Sequence, residues 1–487
     1  MSYQWITRCT AALQFVFVAV SAQAQFQQPL QQPEETPDAF EGDLQVYVDA
    51  SMLISGTYAD LNKKTDGEGS WEQPNIILIM TDDQGFETVG AYGGESYQTP
   101  VLDKLAKTGI RFDQAHATPV CTPTRVKIMS GKYNSRNYTG FGEMDPEIYT
   151  FGNLFQDNGY STFIGGKWQL GGDLNAPYDF GFDEYALWQL TRRGSERANR
   201  YPNPGLAING EKVDFFDGEY GPDIINQRLR DFIERNQNKP FFVYYPMILP
   251  HFPFEPTPNS PDWNPMARLG DSVEHGGRGD DKYFGDMIEY TDKLVGNVID
   301  KLEQLGLCEK TLVIFTSDNG TADGIVSIIN GEEFVGAKLS TTRGGTHVPF
   351  IVRMPGVVPE GVVNDDLIGF TDLFPTLAEF ARIDVPDDLQ LDGQSIAPVL
   401  YGEDADLRNW LYMWIYRNND PDGPGGEFAR THRYKYYHDG RFYDLSEDPL
   451  EEHSPIAVEL LTEEQQEVRS KLQEIIRENT RPGFYQD

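Results

Sequence analysis

The sequence is poor in cysteine and in positive charge. With three cysteines in 487 residues, it cannot form a disulfide-dense scaffold, so its stability must come from the core that a chain of this length can bury. Lysine and arginine total 40 against 76 aspartate and glutamate residues, a net charge of -36. Such a negative field repels polyanions and argues against nucleic acid or an anionic membrane as partner. An anionic substrate would therefore need a local basic pocket.

Long apolar runs are also missing. The apolar stretch from Ala11 to Val20 is shorter than the roughly 20 residues that a membrane-spanning helix needs. It follows Arg8 and precedes Ala22-Gln23-Ala24, which is the pattern of a cleaved secretion signal over residues 1–24. We therefore expect a secreted or periplasmic protein without a stable membrane anchor.

Apolar strands and amphipathic helices alternate over residues 73–402, after a Gln/Pro-rich N-terminal extension or linker at residues 25–72. In the run Asn75 to Met80, every residue after Asn75 is apolar, as is typical of a parallel strand buried on both faces. The same pattern predicts further strands and helices, namely Phe241 to Tyr245, Met287 to Leu305, Thr311 to Thr316, Phe350 to Val352, and helices that start at Pro100 and after Asp372. This alternation predicts an α/β fold with a mostly parallel sheet sandwiched by helices.

The pattern changes in residues 403–487. Leu411 to Tyr416, Tyr434 to His438 and Arg441 to Leu445 are short aromatic-rich segments, which favour strands of a smaller antiparallel sheet. Thr462 and Gln465 have the spacing of a capping box and predict the start of a terminal helix. We therefore expect a C-terminal α+β subdomain.

Acidic residues follow two of the predicted buried strands. Asp82 and Asp83 come directly after the first strand, and Asp318 and Asn319 follow Thr311 to Thr316. Ligands of open α/β sheets bind at the carboxyl ends of strands, so the two pairs would meet if these strands are neighbours. Carboxylate and amide oxygens suit calcium or magnesium. The alternative is that each aspartate only forms a turn or caps a helix.

After removal of the leader, Cys121 is one of two remaining cysteines, and its surroundings resemble a known family. The run Cys121-Thr122-Pro123-Thr124-Arg125, followed by Ser130-Gly131, is similar to the signature of the type I sulfatases of the alkaline phosphatase superfamily. Segments around Lys167, His251 and Lys338 resemble further motifs of that family in the family's order, and several ordered motifs are more specific than one. The resemblance spans roughly residues 73 to 480 and implies an alkaline-phosphatase-like fold.

The resemblance implies a sulfuric ester hydrolase with a modified cysteine. A maturation enzyme would convert Cys121 to formylglycine (3-oxoalanine), whose hydrate provides the nucleophile for covalent catalysis. By the same analogy, a calcium ion would be held by Asp82, Asp83, Asp318, Asn319 and the modified Cys121. The ion would bind a sulfate oxygen and lower the pKa of the hydrate hydroxyl.

The family also implies roles for the basic side chains. Arg125 would secure the hydrate with its planar guanidinium. Lys167 and Lys338 match positions that grip sulfate oxygens, where fixed positive charge stabilises the transition state. His251 matches the residue that protonates the departing alcohol. A lone lysine or histidine is usually a plain surface or loop residue, so these assignments depend on the family match.

Two positions depart from the family pattern. Gln169 stands where the family commonly has a histidine, and an amide cannot act as a base near neutral pH. Another residue or water would then accept the proton during sulfate release, or Gln169 would only position the hydrate, or release would be slow. Arg343 and His347 also differ from many relatives, and we interpret them as candidate substrate contacts.

The substrate is the least specified feature. Arg192 and Arg193 belong to a cluster with Arg197 and Arg200 that would suit a sulfated glycan, although surface arginines also pair weakly with nearby carboxylates. Trp188, Tyr201, Trp414 and Tyr416 are candidates for stacking on sugar rings or for the core. We expect a sulfated glycan or a small sulfate ester. The alternatives are a phosphodiester or phosphonate monoester hydrolase of the same superfamily, and a glycan-binding pseudoenzyme weakened at Gln169.

Overall fold

The computed structural model describes residues 73–191, 199–267, 277–421 and 425–485. The predicted leader at residues 1–24 and the extension at residues 25–72 lie outside the described residues. Within the described ranges, none of the helices combines the length and the apolar character that crossing a membrane requires.

The strands and helices follow in chain order. The strands are β1 (Asn75–Thr81), β2 (Ile110–His116), β3 (Ser161–Lys167), β4 (Glu184–Trp188), β5 (Gly205–Ile208), β6 (Glu211–Asp214), β7 (Phe241–Pro246), β8 (Thr311–Ser317), β9 (Val326–Ile329), β10 (Glu332–Val335), β11 (Phe350–Arg353), β12 (Val362–Gly369), β13 (Leu411–Tyr416), β14 (Gly425–Arg430), β15 (Tyr434–Tyr437) and β16 (Phe442–Asp444). The α-helices are α1 (Pro100–Lys107), α2 (Cys121–Ser130), α3 (Asn134–Asn137), α4 (Phe151–Asp157), α5 (Ala176–Asp179), α6 (Gly221–Arg235), α7 (Phe284–Leu305), α8 (Arg343–Thr346), α9 (Leu373–Phe380), α10 (Ala397–Leu400) and α11 (Glu463–Asn479). Short 3-10 helices cover Phe86–Thr88, Gly90–Tyr92, Asp281–Tyr283, Cys308–Lys310, Asp387–Leu389 and Val458–Leu460.

In the described part of the chain, ten strands form one large sheet in the order β12-β2-β11-β8-β1-β7-β3-β4-β5-β6. The five consecutive strands β8, β1, β7, β3 and β4 are parallel to one another. Alternate residues of β1 belong to hydrophobic clusters on opposite faces of the sheet, with Ile76 in one cluster and Ile77 in the other. Because both faces are buried, residues Ile76 to Met80 of this strand are all apolar. The predicted α/β fold with a mostly parallel sheet is confirmed.

Strand β11 runs against the direction of its neighbours β8 and β2. The chain leaves β8 at the carboxyl edge of the sheet, forms the β9–β10 hairpin and the short helix α8, and enters β11 without crossing the molecule. Strand β11 must therefore run back from the carboxyl edge, antiparallel to β8. Since β11 is antiparallel to both neighbours, β2 and β8 point in the same direction, and both end at the carboxyl edge.

The C-terminal residues form an antiparallel sheet in the order β13-β14-β15-β16. Helix α11 begins with the predicted capping box, in which Thr462 Oγ1 accepts from the Gln465 amide at 3.2 Å and Gln465 Oε1 accepts from the Thr462 amide at 3.0 Å. Strand β14 was not predicted, because it opens with two glycines and carries charged residues. Its Glu427 is nevertheless buried and accepts a hydrogen bond from the Tyr485 hydroxyl at 2.7 Å.

Candidate active site

The two acidic pairs meet at the carboxyl edge of the sheet, because β1 and β8 are neighbours in parallel register. The Asp83 amide donates to Asp318 Oδ1 at 3.2 Å, and Asn319 Nδ2 donates to Asp83 Oδ1 at 2.8 Å. The side chains of Asp82, Asp83, Asp318 and Asn319 are all fully buried. The predicted convergence of these residues is therefore present in the fold.

Helix α2 brings Cys121 and Arg125 to this acidic cluster. The helix starts at Cys121, and the Sγ atom lies within 4.8 Å of a carboxylate oxygen of Asp82 and of Asp318. One turn later, Arg125 donates to Asp318 Oδ2 at 2.8 Å and to the Lys167 carbonyl at 2.9 Å. The start of α2 at Cys121 thus orients both side chains towards the same point.

Two lysines complete a ring of positive charge around the carboxylates. Lys167, the last residue of β3, places Nζ 2.7 Å from Asp82 Oδ2. Lys338 reaches the cluster from the segment after β10 and donates to Asp83 Oδ2 at 2.7 Å. Both lysines predicted to grip sulfate therefore lie at the acidic cluster.

The protonation state of each carboxyl group in this cluster depends on the charges of its neighbours. Burial, with the neighbouring Asp82 charge, raises the pKa of Asp318 to about 7. Burial also opposes ionisation of Asp82, yet the charges of Lys167 and Arg125 hold its pKa below the usual range. Packed carboxylates resist simultaneous ionisation without a cation.

His251 approaches the cluster from the loop after β7. Its Nε2 atom lies 3.7 Å from Asp83 Oδ2, while Nδ1 lies 2.9 Å from an Arg200 nitrogen and 2.6 Å from the Phe252 carbonyl oxygen. These two contacts fix the rotation of the ring and leave Nε2 facing the acidic cluster. Burial lowers the pKa of His251 well below its ordinary value, so the ring is neutral at pH 7.

Arg200 occupies a different environment from the one that the arginine cluster suggested. It is buried, its guanidinium stacks 3.9 Å from the centre of the Trp188 ring, and it contacts His251. Its contact with His251 joins residues 51 positions apart, and no local sequence signal indicates it. Arg192, Arg193 and Arg197 lie outside the described residues.

Gln169 follows β3 and adopts a left-handed backbone conformation, with φ 54°. Its side chain is 9% exposed, and among the described residues its Oε1 atom has no hydrogen-bond partner. An unpaired buried acceptor is unusual in proteins and calls for a partner from outside the chain.

Arg343 and His347 contact each other rather than the acidic cluster. Arg343 Nε donates to His347 Nδ1 at 3.1 Å, and the buried His347 ring stacks 3.9 Å from the Phe86 ring. The prediction that both residues bind substrate stays a prediction.

The four aromatic residues that were candidates for sugar stacking belong to the core. Trp188, Tyr201, Trp414 and Tyr416 are all buried. Trp414 and Tyr416 pack with residues of the C-terminal helix and sheet. The sugar-stacking interpretation of these rings is therefore wrong, because their faces are covered by protein.

Comparison with known proteins identifies the family. The family model described as Sulfatase matches residues 74–383, and the model of the N-sulphoglucosamine sulphohydrolase C-terminal region matches residues 341–479. N-acetylgalactosamine-6-sulfatase of Canis lupus familiaris is 30% identical over 367 residues, covering 69% of this chain and 67% of the relative. Steryl-sulfatase of Rattus norvegicus is 26% identical over 503 residues, covering 78% and 84%. The structure of BT4656 in complex with its substrate, D-glucosamine-2-N,6-O-disulfate, has a TM-score of 0.66 at 22% identity, covering 85% of this chain and 99% of that chain.

Proposed function

The chain belongs to the sulfatase family and is a sulfuric ester hydrolase, and from this premise we propose that it removes sulfate from sulfated carbohydrates by means of a formylglycine made from Cys121 and a bound calcium ion. The observation that carries the proposal is the convergence of Cys121 with a buried acidic cluster. Lys167 and Lys338 surround the same cluster. Hard oxygen ligands, a modifiable residue and fixed positive charge thus occupy one site.

The donor atoms fit a hard divalent cation. Among the described residues, the buried atoms Asp82 Oδ1 and Asn319 Oδ1 have no hydrogen-bond partner, and Asp82 Oδ2 is contacted by Lys167 Nζ at 2.7 Å. With Asp83 and Asp318, these atoms offer the oxygen-rich set that calcium prefers. A calcium ion held there would supply Lewis acidity towards a sulfate oxygen. The cation would also balance the charge of the packed carboxylates.

The position of residue 121 suits a nucleophile. It begins helix α2 and lies beside the acidic cluster, within 4.8 Å of carboxylate oxygens of Asp82 and Asp318. As formylglycine, the residue would supply a hydrated aldehyde whose hydroxyl attacks sulfur. Arg125, held by Asp318 and the Lys167 carbonyl, places a permanent positive charge one helical turn away and orients that group.

The remaining side chains have separate tasks. The Lys167 and Lys338 ammonium groups neutralise the charge that develops on the sulfate oxygens, and preorganised donors of this kind are worth several kcal/mol. His251 presents Nε2 to the departing oxygen. The unpaired Oε1 atom of Gln169 accepts a hydrogen bond from a hydroxyl on residue 121 and holds it in place, but it cannot take up the proton as a base.

A carbohydrate substrate is supported by the proteins that resemble this chain. One relative is an N-acetylgalactosamine-6-sulfatase, and a similar structure contains a disulfated glucosamine as its substrate. The C-terminal region also matches the model of a sulphoglucosamine sulphohydrolase. We therefore place the substrate among sulfated amino sugars and their oligosaccharides.

Mass spectrometry tests the nucleophile. The protein is coexpressed with a formylglycine-generating enzyme and digested, and the peptide with residue 121 is expected to carry an aldehyde. Cys308 provides the control within the same digest, because it should remain a thiol, and a Cys121→Ser variant should lack the aldehyde and the activity. An active preparation with an intact Cys121 thiol would refute the mechanism. Release of sulfate from 6-sulfated N-acetylgalactosamine then tests the substrate class.

A further inference from the structure

A small cavity lies between the C-terminal sheet and the large sheet, outside the acidic cluster described above. It has a volume of about 130 Å³. The residues that matter for its chemistry are His116, Arg343, Arg430, His432, Lys435 and Glu451. We call it the basic cavity.

The basic cavity shares the carboxyl edge of the large sheet with the acidic cluster. His116 is the last residue of β2, and β2 points in the same direction as β8. Only β11 separates these strands, so their ends are roughly 10 Å apart at the usual strand spacing. The cavity is therefore close enough to the acidic cluster for one oligosaccharide to reach both.

Arg430 brings a buried positive charge to this cavity. It is 8% exposed. Its guanidinium donates to the Thr431 carbonyl at 2.9 Å, the His432 carbonyl at 3.1 Å and His116 Nε2 at 3.0 Å. All three acceptors are neutral, since His116 must be unprotonated at Nε2 to accept from a guanidinium. Within the described ranges, no carboxylate lies within 4.0 Å of this side chain.

Arg343 adds a second charge of the same kind. Its Nε atom donates to a ring nitrogen of His347 at 3.1 Å, and among the residues that the structure describes it forms no ion pair. The nearby Asp113 is already paired with Arg111 at 2.7 Å. Two arginines thus line one cavity with no carboxylate within 4.0 Å among the described residues. Glu87 and Glu451 offset their charges only in part, because burial lowers the pKa of both arginines in spite of these carboxylates.

The other charged pair of the cavity is balanced. Lys435 Nζ lies 2.6 Å from Glu451 Oε1, with both side chains at least 96% buried. This pair leaves the excess charge of the two arginines unchanged. Burying an unpaired charge is costly, so this arrangement favours an anion from outside the chain.

The cavity is open to such an anion. His432 and Pro449 contribute to its lining, and both are exposed. The volume is sufficient for one small oxyanion but not for a sugar ring together with its substituents. Guanidinium groups are the side chains best matched to tetrahedral oxyanions, because they bind two oxygens at once.

We propose that the basic cavity is a second oxyanion site, in which Arg343 and Arg430 bind a sulfate group. The sulfate has two possible sources: a further sulfate ester on the glycan that is being hydrolysed at residue 121, or free inorganic sulfate. The choice between these sources rests on the proposed function. The binding site itself does not.

Calorimetric titration with sodium sulfate, at an ionic strength held constant with sodium chloride, tests the site. The protein carries Cys121→Ala and Lys338→Ala, so that neither turnover nor the catalytic sulfate position contributes. We expect sulfate binding, and we expect Arg343→Gln to weaken it by roughly tenfold or more, since a charge-assisted contact is lost. Arg433→Gln is the matched control, because Arg433 is exposed and paired with Asp444 at 2.7 Å.

Arg430→Lys is the second variant, because it keeps the buried charge and removes only the forked geometry. Circular dichroism and the unfolding midpoint in chloride establish that each variant is folded. Absence of sulfate binding in the parent, or equal binding in the parent, Arg343→Gln and Arg430→Lys, would overturn the proposal. Because residue 121 is alanine throughout, this result is independent of whether formylglycine forms.

Kinetics of the matured enzyme then identify the source of the sulfate. If it belongs to the glycan, Arg430→Lys raises KM for a disulfated oligosaccharide by a larger factor than KM for 4-nitrophenyl sulfate. If it is free sulfate, the same variant weakens inhibition by inorganic sulfate. Either result supports the oxyanion site. If a variant that has lost calorimetric sulfate binding shows neither the larger KM effect nor the weaker inhibition, a role for the site in this enzyme is refuted.

Discussion

Glu87 provides a quantitative test of the electrostatics beside the active site. It lies on the 3-10 helix that follows the Asp82 turn, it is 1% exposed, and its carboxyl group accepts a hydrogen bond from the Thr321 hydroxyl. Burial raises its pKa from 4.5 to about 7. Glu87→Gln removes the titration, while the amide oxygen can still accept from Thr321.

The expected effect follows from proton linkage. Because the folded protein holds the Glu87 proton more tightly than the unfolded chain, folding stability is lost as pH rises from 4.5 towards about 7. With these two pKa values, the loss between pH 5 and pH 8 is about 2.5 kcal/mol. The glutamine variant does not titrate, so it should gain stability relative to wild type by about this amount between the two pH values.

Guanidinium chloride unfolding of both proteins at pH 5 and pH 8, with a chelator present throughout, measures this difference. Glu95→Gln is the control, because it makes the same charge change at an exposed residue and should leave the pH dependence unaltered. If wild type and Glu87→Gln lose stability in parallel between pH 5 and pH 8, then Glu87 is not the buried neutral acid that the structure indicates.

Three further outcomes follow from the catalytic site. Lys338→Ala should lower kcat/KM for an aryl sulfate by roughly a hundredfold or more. Lys310→Ala, a change at a lysine outside the site, should leave kcat/KM unchanged. Equal kcat/KM values for the two variants would show that Lys338 has no role in catalysis. Chelation should abolish activity and lower the unfolding midpoint, and calcium should restore both; an unaffected midpoint would contradict a bound ion. Wild type should show a burst of 4-nitrophenol before a slower steady state. Gln169→His should reduce the burst, because the histidine supplies a base for sulfate release. A wild type without a burst would show that sulfate release is not the slow step.

Local sequence signals predicted the elements that carry the site. The continuous apolar run of β1 needs burial on both faces, and the fold satisfies this need in the middle of a parallel sheet. The capping box of α11 also lies where its residues indicated. These features were predictable because each depends on a few residues that are adjacent in the chain.

Other features depend on which distant segments meet. Arg200 contacts His251 across 51 positions, and its burial against Trp188 could not be read from its arginine-rich neighbourhood. The antiparallel direction of β11 follows from the position of the β9–β10 hairpin, which begins at the carboxyl edge of the sheet and returns the chain to β11 from that same edge. The residue type of an aromatic such as Trp414 does not reveal whether its ring faces a sugar or the core, so only the packing distinguishes the two.

The sequence by itself determined the chemical inventory: the acidic pairs after two predicted buried strands, the run from Cys121 to Arg125, and the family resemblance that relates these residues to one reaction. The tertiary structure decided which groups share a space. It placed Asp82 beside Asp318 through the pairing of β1 with β8, and it brought Arg343 from helix α8 and Arg430 from strand β14 to one cavity. The physical reason is that residue type and short-range spacing specify local conformation and ligand chemistry, whereas charge compensation and burial are properties of contacts between remote segments.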